Sequence, residues 1–221
     1  IMILGQIISL FGNAILRFSL SLYVLEVTGS AAVFGTILAV SMIPTVLLSP
    51  FGGVLADRLP KQKIMTILDF VTAGLIVFYD AVYGSAGNLA AVTIFMILLT
   101  LIQAFYQPSV QASIPLLASQ EQLMAANGIV MQVQALAGLL GPILAGMLYG
   151  IGGVKPILAA SAVCFFLSAV MELFLRIPHE KREADGSPVR MALLDLKGAV
   201  TYLIRANTCL FKLLTAVAAS N

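Results

Sequence analysis

The chain has 221 residues, of which 60% are hydrophobic and only 10% charged, with a formal net charge of +2 and a mean hydropathy of +1.04. Soluble domains carry roughly a quarter charged residues, so a chain this apolar has too few polar groups to cover a water-facing surface, and a soluble globular fold is excluded. Nucleic-acid binding is excluded as well, because the Lys and Arg residues form no basic face interleaved with aromatics.

A membrane-crossing helix needs about 20 mainly apolar residues, and runs of that kind follow one another along the chain. The first is expected over Ile1–Val27 and is closed by Thr28-Gly29-Ser30. It is too long for the apolar segment of a cleavable leader. The second runs over Ala32–Ala56, with no charged residue between Glu26 and Asp57. Asp57, Arg58, Lys61 and Lys63 then arrive together, and a third helix is expected from Lys63 to Tyr83. The stretch Gly84-Ser85-Ala86-Gly87-Asn88 reads as a turn. A fourth, uncharged run covers Leu89–Pro115, and the polar break Ser119-Gln120-Glu121-Gln122 leads to a fifth over Leu123–Gly150. Gly152-Gly153-Val154-Lys155-Pro156 turns into a sixth, ending near Leu175.

The expected fold class is all-α, a polytopic six-helix transmembrane bundle over 1–175. A charged linker is expected over 176–209, with an amphipathic surface helix at Met191–Arg205, and the start of a seventh helix over 210–221. Ile1 is not an initiator residue, so a natural beginning is expected upstream, and the last run is expected to be cut at Asn221. Arg58, Lys61, Lys63, Arg176, Lys181, Arg182 and Arg190 share one side of this topology, and Lys155 stands alone on the other. Lys and Arg are retained in cytoplasmic loops, so the loops after helices 2, 4 and 6 are expected in the cytoplasm, with the chain in the cell membrane.

Polar residues inside the helices are the candidates for function. Ser9, Asn13, Arg17 and Ser21 recur every four residues of helix 1, which places them on one side. Arg17 lies near mid-membrane, where an ionisable group is costly and faces a cavity or a partner. Helix 4 carries Gln103, Gln107 and Gln111 beside Tyr106, and helix 5 carries Asn127, Met131 and Gln134. Polar stripes on three helices at similar depth suggest a central aqueous cavity for a small-molecule substrate. Interhelical hydrogen bonding is the alternative for the glutamines, and pairing with a carbonyl or carboxylate is the alternative for Arg17. Asp69 and Glu172 lie nearer the basic ends and read as structural, and Glu26 reads as an outer-surface residue.

No catalytic constellation is present: there is no Gly-x-Ser-x-Gly elbow, no phosphate-binding glycine loop with Lys, and no zinc-ligand spacing. Cys164 and Cys209 lie in apolar segments, and His179, the only histidine, lies in the charged linker. No metal, no cofactor and no enzyme activity is therefore expected.

Two motifs carry a family resemblance. Gly53, Leu55, Ala56, Asp57 and Arg58, followed by Lys61, match a loop pattern of glycine, any residue, leucine, alanine, aspartate, arginine, any residue, glycine and then basic residues. Gly53 is expected to let helices pack closely; Pro60 stands where the pattern has its second glycine, and Gln62 where it has another basic residue. In helix 5, Gly128, Ala137, Gly141-Pro142, Ala145 and Gly146 resemble a glycine- and proline-rich motif of drug–proton antiporters, with alanine at two of six places. On these motifs nearly the whole chain resembles the N-terminal half of the major facilitator superfamily, most like macrolide and multidrug efflux carriers.

The resemblance implies a second six-helix half, alternating access, export of a hydrophobic or amphiphilic molecule, and coupling to an ion, a proton by preference. It implies a gate at Gly53, Asp57, Arg58 and Lys61, with Asp57 facing a helix start in the other half; a solvated orientation loop is the alternative. It implies close packing at Gly128, Gly141, Pro142 and Gly146, where generic tight packing is the alternative. Thr100 stands where many superfamily antiporters carry an arginine, which departs from their proton-coupling scheme. Import, siderophore export, or a membrane receptor or assembly protein that transports nothing remain the alternative functions.

Overall fold

Apolar segments in lipid must satisfy their own backbone hydrogen bonds, and an α-helix does so within one segment. In a computed structural model the described residues are 2–84, 88–117, 119, 121–175 and 177, and they form six helices: α1 (Met2–Thr28), α2 (Ala31–Arg58), α3 (Lys61–Tyr83), α4 (Leu89–Leu117), α5 (Leu123–Gly152) and α6 (Lys155–Leu173). All six are long and apolar enough to cross a membrane. At 1.5 Å per residue even α6 spans about 28 Å, close to the ~30 Å hydrocarbon layer. Among the described residues there is no strand. The middle of the turn at 85–87, nearly all of the linker at 176–209 with its amphipathic helix and its residues Arg176, His179, Lys181, Arg182 and Arg190, Cys209, and the expected seventh helix at 210–221 lie outside the described residues.

Local chemistry closes each helix. Gly29 adopts φ +61 after α1, a conformation open to glycine, and the Ser30 hydroxyl accepts the Val33 N–H (3.4 Å) to start α2. Between α2 and α3, Leu59 is extended, as a residue before proline must be, and Pro60 opens α3. Asn88 accepts the Ala91 N–H (2.7 Å) and starts α4. Lys155 and Pro156 are not a turn, as the sequence pattern suggested, but the first residues of α6, because proline needs no N–H there and its fixed φ suits a first turn.

Four helices, α1, α3, α4 and α6, build the interior. Away from the basic loop that joins α2 to α3, it is filled by Leu16, Leu20, Ile76, Tyr79, Phe95, Leu99, Leu158 and Phe165. Tyr79 stacks on Phe95 with ring centroids 4.3 Å apart. Small residues bring α1 and α6 together: the Ser161 and Ser168 hydroxyls donate to the Gly12 and Gly5 carbonyls (3.4 and 3.0 Å). A side chain at Gly12 would stand 3.1 Å from Cys164 Cβ. α2 packs chiefly on α4, and α5 on α1. These two flanking helices are the least covered, with only 11% and 17% of their most apolar stretch buried.

The glycines that set helix spacing are partly not those expected. Gly53 has open space around it, whereas a side chain on neighbouring Gly52 would meet the Ala104 carbonyl oxygen. One step along a helix turns the chain by about 100°, which is why only one of two adjacent glycines faces α4. In α5, a side chain at Gly141 would stand 2.6 Å from Ala14 Cβ of α1, while Gly128 and Gly146 have nothing within 4 Å. Close packing on α1 therefore falls on Gly141, with Ala137 and Ala145 buried on the same side.

Candidate functional site

An open cavity of about 400 Å³ lies among α1, α2 and α5. Its wall includes Asn13, Arg17 and Ser21 of α1, Leu38 and Met42 of α2, and Gln134, Ala137, Gly138 and Pro142 of α5. The sequence stripe on α1 thus reaches the cavity at three of its four members. Ser9 does not: it is buried and its hydroxyl donates to Asp69 Oδ1 of α3 (3.2 Å). Four residues advance a helix by about 400°, so each step drifts by about 40° and the stripe spirals from α3 towards α5.

Arg17 is half-buried mid-helix beside mainly apolar walls. The Ser21 hydroxyl turns back to donate to the Arg17 carbonyl (2.8 Å), and Asn13 Oδ1 is buried with no hydrogen-bond partner. The cavity is therefore lined by a cation and by the amide side chains of Asn13, one turn away on α1, and Gln134 from α5. This set suits an amphiphilic molecule with an acceptor group and an apolar body.

The helix 4 candidates divide. Gln134 donates to Gln107 Oε1 (3.2 Å), tying α5 to α4 by interhelical hydrogen bonding. Gln103 is half-buried, is not among the residues lining the cavity, and does not form the wall opposite Arg17; α5 does. Tyr106 is corrected more strongly. It is 1% exposed and its hydroxyl donates to Glu172 Oε1 of α6 (2.8 Å), because one residue's step from Gln107 turns it by about 100°, towards α6. Gln111, Asn127 and Met131 are exposed; Asn127 donates to the Leu123 carbonyl of its own helix (3.0 Å), and Met131 is 70% exposed.

At the basic end, Asp57 is exposed on the last turn of α2, Arg58 ends that helix, and Lys61 begins α3. Gln62, which replaces a basic residue of the loop pattern, donates to the Glu172 and Leu173 carbonyls (3.0 and 3.1 Å) and caps α6. No spacing rule on the sequence announces this long-range cap. At the opposite end Glu26 is exposed and accepts a hydrogen bond from Tyr149 of α5. Thr100 is buried and its hydroxyl donates to the Met96 carbonyl (2.7 Å) of its own helix. Among the described residues no His, Cys, Asp and Glu cluster could hold a metal.

Six spanning helices of this order agree with sequence comparison, where residues 2–220 match the Major Facilitator Superfamily. The chain belongs to the major facilitator superfamily. It is 30% identical over 176 residues to macrolide efflux protein A of Streptococcus pyogenes, covering 79% of this chain and 43% of that protein. Macrolide efflux protein A of Enterococcus faecalis is 29% identical over 68% of this chain and 46% of its own length. The staphyloferrin A transporter of Staphylococcus aureus is 23% identical over 80% of this chain and 45% of its own. The chain spans less than half the length of these curated relatives, and within the superfamily it is a multi-pass membrane protein similar to efflux carriers.

Proposed function

We propose that this chain is the N-terminal six-helix half of a secondary transporter that exports hydrophobic or amphiphilic small molecules by alternating access. The observation that carries the reading is the α1–α5 cavity: a mid-span Arg17 with Asn13 and Gln134, set in apolar walls, in a chain similar to macrolide efflux proteins. Remote apolar surface supplies binding, and the few polar groups orient the solute. A second half packs against the poorly covered α2 and α5, closing the cavity beside Gln111, Asn127 and Met131. The basic end faces the cytoplasm of the cell membrane, and Gly53, Asp57, Arg58 and Lys61 latch that face. Export is driven by an ion gradient, with a proton as the coupling ion. Export of an iron-chelating siderophore is the second reading, supported by the similarity to the staphyloferrin A transporter.

The test uses the full-length protein in liposomes with an imposed proton gradient. A labelled macrolide should move across the bilayer and stop moving when the gradient is collapsed. Saturable binding without movement would instead mark a receptor.

A further inference from the structure

Asp69 and Glu172 project from α3 and α6 into the four-helix interior and are 1% and 2% exposed. One turn of α1 meets both of them: a side chain at Gly5 would stand 3.9 Å from Glu172 Cγ, and Ser9 reaches Asp69. Each is hydrogen-bonded through one oxygen only: Ser9 donates to Asp69 Oδ1 and Tyr106 to Glu172 Oε1. Asp69 Oδ2 and Glu172 Oε2 are buried with no partner. On α1 the amide nitrogen of Gln6, 1% exposed, is also unpartnered. Gln6 lies one turn from Ser9, and one turn from Met2, which packs against the cluster of Met65, Tyr106 and Val110. Gly5, next to it, faces Ser168 and Glu172 Cγ.

The groups bonded to the pair are Ser9 from α1 and Tyr106 from α4, with Ser168 one turn before Glu172 on α6. None is a cation, and no Lys, Arg or His is buried among the described residues. Two adjacent carboxylates removed from water, with no buried counter-charge among the described residues, cannot both stay ionised. Among the described residues no cluster of three acidic, histidine or cysteine side chains could hold a metal ion. Glu172 lies one residue from the end of α6, and Asp69 about two turns into α3, so water at the basic end is near.

We propose that Asp69 and Glu172 form a proton-binding site outside the substrate cavity, holding one exchangeable proton between them. Uptake turns one carboxylate into a carboxylic acid, with the new O–H aimed at the unpartnered oxygens; release returns the proton to water at the basic end. No other bond changes. The site stands on the packing of α1, α3, α4 and α6 and does not rest on the transport reading.

Infrared spectroscopy of the full-length protein in lipid nanodiscs tests it. Wild type at neutral pH should show a buried carboxylic-acid carbonyl band that shifts in D₂O and disappears as the pH is raised. The band should be absent in D69N/E172Q, whose amides imitate the protonated pair and should leave the melting temperature unchanged. If that variant fails to fold, the wild-type pH titration alone decides. Absence of the band in wild type, its persistence in the double variant, or a melting temperature that rises with sodium instead of with protons would overturn the proposal. None of these readouts requires that a solute be carried.

Discussion

Arg17 places a charged side chain near the middle of α1. An arginine at a helix centre costs about 2.5–3.5 kcal/mol on insertion scales, and here it sits half-buried in a cavity with an unpartnered Asn13 carbonyl one turn away. Arg17→Gln should therefore keep expression while abolishing or redirecting substrate choice in an efflux assay, because the amide keeps hydrogen bonding and loses charge. Arg17→Leu should insert more readily and transport poorly. Wild-type drug resistance in both variants would remove Arg17 from the binding machinery. Asp57 is exposed on the last turn of α2. Asp57→Asn is expected to leave insertion intact and to lower transport several-fold at equal abundance, since its proposed contact is with a helix start in the other half. Undiminished transport would leave it only a role in orientation.

At the scale of elements, helix spacing is set by backbone approach at a few glycines. A side chain at Gly52 would collide with the Ala104 backbone of α4, and backbone cannot swing aside as a flexible side chain can. Gly52→Ala should cost about 1–3 kcal/mol, the usual range for overpacking, and lower the melting temperature in detergent, whereas Gly53→Ala should be neutral. In α5 the same contrast holds: Gly141→Ala should destabilise against Ala14, and Gly128→Ala or Gly146→Ala should not. Equal melting temperatures across either set would show that α2 and α5 are not held by these contacts. The Gln62 cap belongs to the same scale, since it ties the first turn of α3 to the last of α6 across the wall of the buried acid pair.

The whole molecule is asymmetric in charge from end to end. Arg58, Lys61 and Lys63 lie at one end of the bundle and Lys155 at the other. Because positive charge is retained on the cytoplasmic side, a cysteine at position 58 or 182 should resist a membrane-impermeant reagent applied to intact cells. A cysteine at Asn88, which starts α4 at the opposite end, should react. Labelling of position 58 from outside would reverse the orientation and with it the direction assigned to the cavity.

Hydropathy by itself determined that the chain crosses the membrane and where its helices run, because lipid permits only internally bonded segments and such a segment must be apolar throughout its length. The turns were legible for the same reason: Gly29, Pro60, Asn88 and Gly153 are residues whose backbone or side chain stops or starts a helix. The motifs at Asp57 and Gly141-Pro142 were legible as family patterns. Which side chain met which neighbour was not. A four-residue period drifts around a helix, so one stripe divided between the acid pair, at Ser9, and the cavity, at Arg17. Tyr106 joined Glu172 rather than the cavity, and Gly52 rather than Gly53 met α4. Each outcome depends on the rotation and depth of one helix against another, set by packing among all six, and only the tertiary structure decided it.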